Sequence, residues 1–179
     1  FRLCSGFAKL YITVIRGTPL LVQLYIVYYQ LHFIPWPEGS ILGVELARVM
    51  PCILALSMNS TAYVAEVIRS GIQAVDGGQM EAARSVGFSS GEAMRLVVLP
   101  QAIRNILPAL GNEFVTVIKE SSIVSVIGIA DLMFRTNDVI AVTYKNLECL
   151  AVAALCYFVL TFVSSRAVSL AERKLSHGK

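Results

Sequence analysis

The sequence predicts an all-α membrane protein, on three observations. Hydrophobic residues make up 56% of the chain, charged residues only 15%, and mean hydropathy is +0.67. The charges cluster between long apolar runs instead of alternating along helix faces, as they would in a soluble bundle. Between those runs lies a polar stretch with two adjacent small residues, a turn glycine and a closing proline. Such a pattern is costly inside lipid and suits a short helical hairpin held outside it.

Four spans are expected in order along the chain. The first is the apolar run Leu20 to Phe33, where Thr18 is placed to cap the helix and Pro19 to fill its first position. A loop with Pro35, Pro37 and Gly39 follows. Val44 to Ile68 is long enough to cross the hydrocarbon layer with some tilt, and Pro51 predicts a kink in it. Ala102 to about Ser121 forms the third span, interrupted by Pro108 and Gly111. Ile123 to Asp138 is mixed in character and expected along or just within the outer surface. Leu147 to Ser164 is the last span, and Arg166 to Lys179 is a basic amphipathic tail.

Basic residues orient these spans. Arg2, Lys9 and Arg16 precede the first; Arg69, Arg84 and Arg95 flank or occupy the polar stretch; Arg166, Arg173, Lys174 and Lys179 follow the last. The loop Ile34 to Gly43 has neither lysine nor arginine, so it faces outward and the other three segments face the cytoplasm. Lys119, Arg135 and Lys145 run against the rule, but Glu120, Asp131 and Asp138 accompany them. The chain opens at Phe1 with no start methionine or signal pattern, and a missing N-terminal portion is expected.

Several classes of chemistry are excluded. A net charge of +3, without a lysine-rich run or aromatic ladder, gives no basis for nucleic-acid binding. Cys4, Cys52, Cys149 and Cys156 have no recurrent metal spacing and read as small packing residues. His32 and His177 are isolated, and no Ser/His/Asp, Cys/His or HExxH arrangement forms around them. There is no GxxxxGK[ST] loop, so any ATP must be bound by another chain; no cofactor or metal is expected.

Within the polar stretch, Glu81-Ala82-Ala83 is followed after three residues by Gly87, after nine more by Val97, and then by Leu99-Pro100. Glu81 is expected near a helix N-terminus and within reach of Arg84. Ala82 and Ala83 are expected to form a flat docking patch, and Gly87 to end the helix with positive φ. A surface hairpin without a partner is the plainer alternative.

This spacing resembles the signature loop of permease subunits of ABC importers. Further matches narrow the resemblance to the polar amino acid (histidine/glutamine/arginine) branch. They are Arg16-Gly17-Thr18-Pro19-Leu20-Leu21-Val22-Gln23, Tyr63-Val64-Ala65-Glu66, Arg69-Ser70-Gly71-Ile72 and Gly78-Gln79-Met80-Glu81-Ala82-Ala83, then Leu99-Pro100-Gln101-Ala102 and Pro108-Ala109-Leu110-Gly111-Asn112-Glu113. Val97 stands where isoleucine is usual, Met80 replaces a common aromatic, and the family's first span is absent. The resemblance implies one transmembrane domain over residues 1–179, four spans of a five-span subunit, and a cytoplasmic coupling helix in the loop of about 71–100. It also implies ABC ATPase subunits that dock on Glu81, Ala82, Ala83, Gly87, Leu99 and Pro100. A second permease subunit, an extracytoplasmic amino acid-binding protein and a polar amino acid substrate complete the system, in a bacterial cytoplasmic membrane.

Substrate contacts are sought among polar residues near the bilayer midplane. Asn112 and Glu113 fall there on the third span, with Thr116 one turn on; Asn59 lies mid-way along the second span and Tyr63 a turn below it. A midplane carboxylate is tolerated where it faces water or a cation, and the α-ammonium of an amino acid is such a cation. The other reading is that these groups bind neighbouring helices together. Glu66 and Arg69 read as a structural ion pair or gate element. Competing functions are a secondary amino acid transporter, which should carry internal repeats and ion-coupling carboxylates, and a non-transporting membrane scaffold.

Overall fold

The computed structural model describes residues 2–31, 33–41 and 43–176; His32, His177 and the end of the basic tail lie outside them. Helix α1, Arg2–Arg16, is followed by α2, Leu20–Tyr25, which continues as a π-helical turn, Ile26–Gln30. The two bend by 108° at Gly17-Thr18-Pro19. Together α2 and its extension rise roughly 16 Å at about 1.5 Å per residue, half the roughly 30 Å of hydrocarbon. The run Leu20 to Phe33 is therefore not a span by itself; only the bent pair α1 and α2 has the required length. Thr18 does not cap α2. Its hydroxyl donates to Val14 O of the preceding helix at 2.9 Å, and Pro19 stands at the N-cap without a side-chain bond.

A two-residue antiparallel ladder, β1 (Ser40–Ile41) with β2 (Val44–Glu45), leads into α3, Leu46–Gln73. Helix α3 runs on through Pro51, which lies in its second turn. After α3 come α4 (Gly77–Ser85), α5 (Ser90–Ala93), a second π turn (Met94–Val98) and α6 (Leu99–Glu120). A 3-10 segment (Ser121–Ile127), α7 (Leu132–Thr143) and α8 (Asn146–Ser176) complete the order. Helix α6 starts before Ala102 and is continuous through Pro108 and Gly111, so the expected interruption is absent. Helix α8 absorbs much of the predicted tail.

By length and composition α3 and α8 can cross a membrane among the described residues, and the bent pair is a third candidate. Helix α6 is long enough, but Arg104, Asn105, Asn112, Glu113 and Lys119 make it more polar. That suits a helix walled by others: α6 packs against both α3 and α8. Two glycines allow the close approach. A Cβ on Gly71 of α3 would collide with the Ile106 side chain of α6, and one on Gly111 of α6 with Val168 of α8. The main apolar cluster gathers Leu24 of α2, Val27 of its π-helical extension, Cys52 and Ala55 of α3, and Val124, Ile127 and Ile129 beyond α6.

Candidate functional site

The exposed loop folds as a hairpin whose ends are set by short-range hydrogen bonds. Asp76 caps α4, its Oδ1 accepting from Gly78 N at 2.6 Å. Gly87, at φ +100°, ends the helix. Phe88 N donates to Ala83 O (3.2 Å) and Gly87 N to Arg84 O (3.1 Å), the paired bonds of a Schellman turn. Ser89 and Glu92 then form a capping box on α5. The Ser89 hydroxyl and backbone N–H hold the Glu92 carboxyl below its ordinary carboxylate range.

From α5 the chain continues without a break through the π turn into α6. Pro100 stands at the start of α6, where it lacks the N–H an α-helical turn would use, and the wider π turn ends just before it. Pro100 thus opens α6 instead of closing the hairpin. Helix α4 packs on this π turn, and Gln101 Nε2 donates to Gln79 Oε1 at 3.2 Å, tying α4 to α6.

Adjacent residues on a helix point about 100° apart, and this divides the two alanines. Ala83 is 6% exposed and buried within the hairpin, as are Ala93 and Val98, whereas Ala82 and Glu81 face solvent. The outward patch therefore has one alanine, not two. Glu81 lies beyond the first turn of α4 and forms no ion pair with Arg84; Asp76 takes the N-terminal position. Leu99 is half-buried. Sequence reasoning missed the apolar tip: Val86 is 78% and Phe88 40% exposed, on either side of Gly87. Two apolar residues bracketing a turn glycine were the available signal.

The five inner polar residues do not converge on one cavity. Glu113 is partly buried and turned toward α3, where Ser60 Oγ donates to its Oε1 at 3.5 Å. A groove of 510 Å³ runs along this face past Ser57, Ser60, Thr61 and Val117. Thr116 is half-buried three residues beyond Glu113. Asn112 instead lines a crevice of 160 Å³ against Ser165, Ser169 and Glu172 of α8. Asn59 is buried, and its Nδ2 donates to Gln23 Oε1 at 3.0 Å. Tyr63 lies under the Arg16 guanidinium, 5.4 Å from the ring centre. The Glu66–Arg69 pair is formed, with Arg69 Nε to Glu66 Oε2 at 3.0 Å; Arg16 approaches the same carboxylate at 3.6 Å, joining α1 to α3.

The sequence matches, over residues 1–177, the family described as binding-protein-dependent transport system inner membrane component. It is 45% identical over 175 residues to the arginine transport system permease protein ArtQ of Bacillus subtilis (strain 168), covering 98% of this chain and 77% of that one. It is 43% identical over 175 residues to the nopaline transport system permease protein NocM of Agrobacterium fabrum, covering 96% and 72%. A crystal structure of an amino acid ABC transporter with histidines contains a chain that is 51% identical and superposes with a TM-score of 0.79, covering 93% of this chain and 74% of that one. By fold and by sequence, this chain belongs to the family of binding-protein-dependent transport system inner membrane components.

Proposed function

We propose that this chain is the permease subunit of an ATP-driven importer of polar amino acids in the bacterial cytoplasmic membrane. It pairs with a second permease subunit, receives substrate from an extracytoplasmic binding protein and seats one of the dimer's two ATPase subunits on the α4 hairpin. ATP hydrolysis belongs to those ATPases. The observation that carries this reading is the unbroken helical path from α5 through the π turn into α6, with the hairpin braced on its base by Gln79 and Gln101. A displacement of the hairpin is passed into α6, the helix that bears Glu113, and from there into alternating access.

In this reading Glu81, Ala82, Gly87 and the tip residues Val86 and Phe88 meet the ATPase, while Ala83, Leu99 and Pro100 shape the hairpin behind them. Glu113 receives the ammonium or a cationic side chain of the substrate, with Ser60 and Thr116 beside it. Arginine and nopaline transport by the two relatives agrees with a carboxylate partner.

The test uses the reconstituted complex. Gly87→Val puts a β-branched residue at φ +100°, and Ala82→Trp wedges the outward face. Both variants insert into the membrane and lose ATP hydrolysis stimulated by substrate-loaded binding protein. Normal stimulation in both removes the hairpin from the coupling path.

A further inference from the structure

A crevice of 780 Å³ opens between the start of α6 and the end of α8, walled by Ile103, Arg104 and Leu107 on one side and by Ser169, Glu172 and Arg173 on the other. Its chemistry is divided. Ile103 is half exposed and Leu107 borders it as an apolar strip one turn long, while Arg104 and Arg173 bring two guanidinium groups. Glu172 supplies a single opposing charge, and its Oε1 rests against the backbone of Gly111 at the inner end. The surroundings are divided too, because the exposed apolar residues of α8 run as far as Leu170 and give way to Glu172 and Arg173, while α6 begins at Leu99. The crevice therefore straddles the border between lipid-facing and water-facing surface.

An occupant that satisfies this site is apolar along one side and anionic at one end. A small soluble anion would meet the arginines but leave Ile103 and Leu107 in water. We infer that the crevice seats an anionic phospholipid, its headgroup phosphate between Arg104 and Arg173 and an acyl chain along Ile103 and Leu107. The lipid wedges the α6–α8 contact at the foot of the helix that leaves the hairpin.

The experiment places the assembled transporter in nanodiscs of equimolar phosphatidylcholine and phosphatidylglycerol, then counts the phosphatidylglycerol retained after detergent extraction by native mass spectrometry. Wild type retains it selectively. Arg104→Gln lowers retention about fivefold, as expected for one basic residue worth about 1 kcal/mol at the membrane surface. Ile103→Asn lowers it without changing charge, and Arg104→Lys, which keeps the charge and the fold, retains most of it. Unchanged retention in both Arg104→Gln and Ile103→Asn overturns the inference. So does complete displacement by glycerol 3-phosphate, which would mark a soluble-anion site. Because neither uptake nor ATP hydrolysis is measured, failure here leaves the transport reading standing.

Discussion

The side-chain amide of Asn59 donates to Oε1 of Gln23 at 3.0 Å, joining α3 to the inside of the bend between α1 and α2. Gln23 Nε2 in turn donates to Ile15 O at 2.7 Å and to Thr18 O and Oγ1 at 3.0 and 2.9 Å. Among the described residues no buried side-chain nitrogen or oxygen lacks a partner, and this chain of amides is a large part of the reason here. It also gives Asn59 a task other than touching substrate.

Removing either amide should therefore act on stability before transport. Gln23→Leu leaves Asn59 Nδ2 unpaired in the interior and Ile15 O with only the Thr18 hydroxyl at 3.5 Å, and a loss of about 1–3 kcal/mol is expected. Asn59→Leu should cost a similar amount, and the double variant less than the sum of the two. Thermal unfolding of the purified complex checks this, with uptake measured well below the transition. A changed half-saturation concentration for Asn59→Leu, without lower stability, would return Asn59 to the substrate path.

The seat of α6 on α8 makes a second prediction. Gly111→Ala drives a methyl group into Val168 and lowers stability by about 1–3 kcal/mol through overpacking. Adding Val168→Ala should recover more than half of the loss. If Gly111→Ala is as stable as wild type, α6 and α8 do not approach as closely as the structure shows.

Glu113→Gln keeps side-chain shape and removes the charge. Loss of one charge-assisted contact of about 1.5–3 kcal/mol predicts at least about tenfold weaker uptake by vesicles supplied with binding protein. Assembly with the ATPase should be unaffected. Asn112→Ala should matter less, since Asn112 lines the α8 side. Wild-type uptake by the glutamine variant would leave Glu113 as a partner for Ser60 only.

Orientation is checked by thiol labelling in a cysteine-free background. A cysteine at Glu38 should react with a membrane-impermeant reagent in intact cells, and one at Gly78, in the first turn of the hairpin, should not. Strong external labelling at Gly78 would invert the topology and remove the hairpin from contact with any cytoplasmic ATPase.

What the sequence by itself determined is what short stretches of chain control. Hydropathy over some twenty residues marks α3 and α8, because lipid solvates each apolar run separately. The hairpin was legible for the same reason: the turn at Gly87 closes through bonds reaching only to Ala83 and Arg84, and a left-handed φ there calls for glycine. Only the tertiary structure decided the rest. Leu20 to Phe33 reads as a span until Gln23 is seen stapling the end of α1 back at 108° and Asn59 of α3 is found bonded to that same Gln23. Gly111 reads as a helix breaker until Val168, 57 positions later, occupies the space a side chain would fill. Ala82 and Ala83 read as one patch until packing of α4 on the π turn buries the second. In each case hydropathy and propensity describe a segment's affinity for its solvent, whereas a bend, a seat or a buried face depends on which distant segment replaces that solvent.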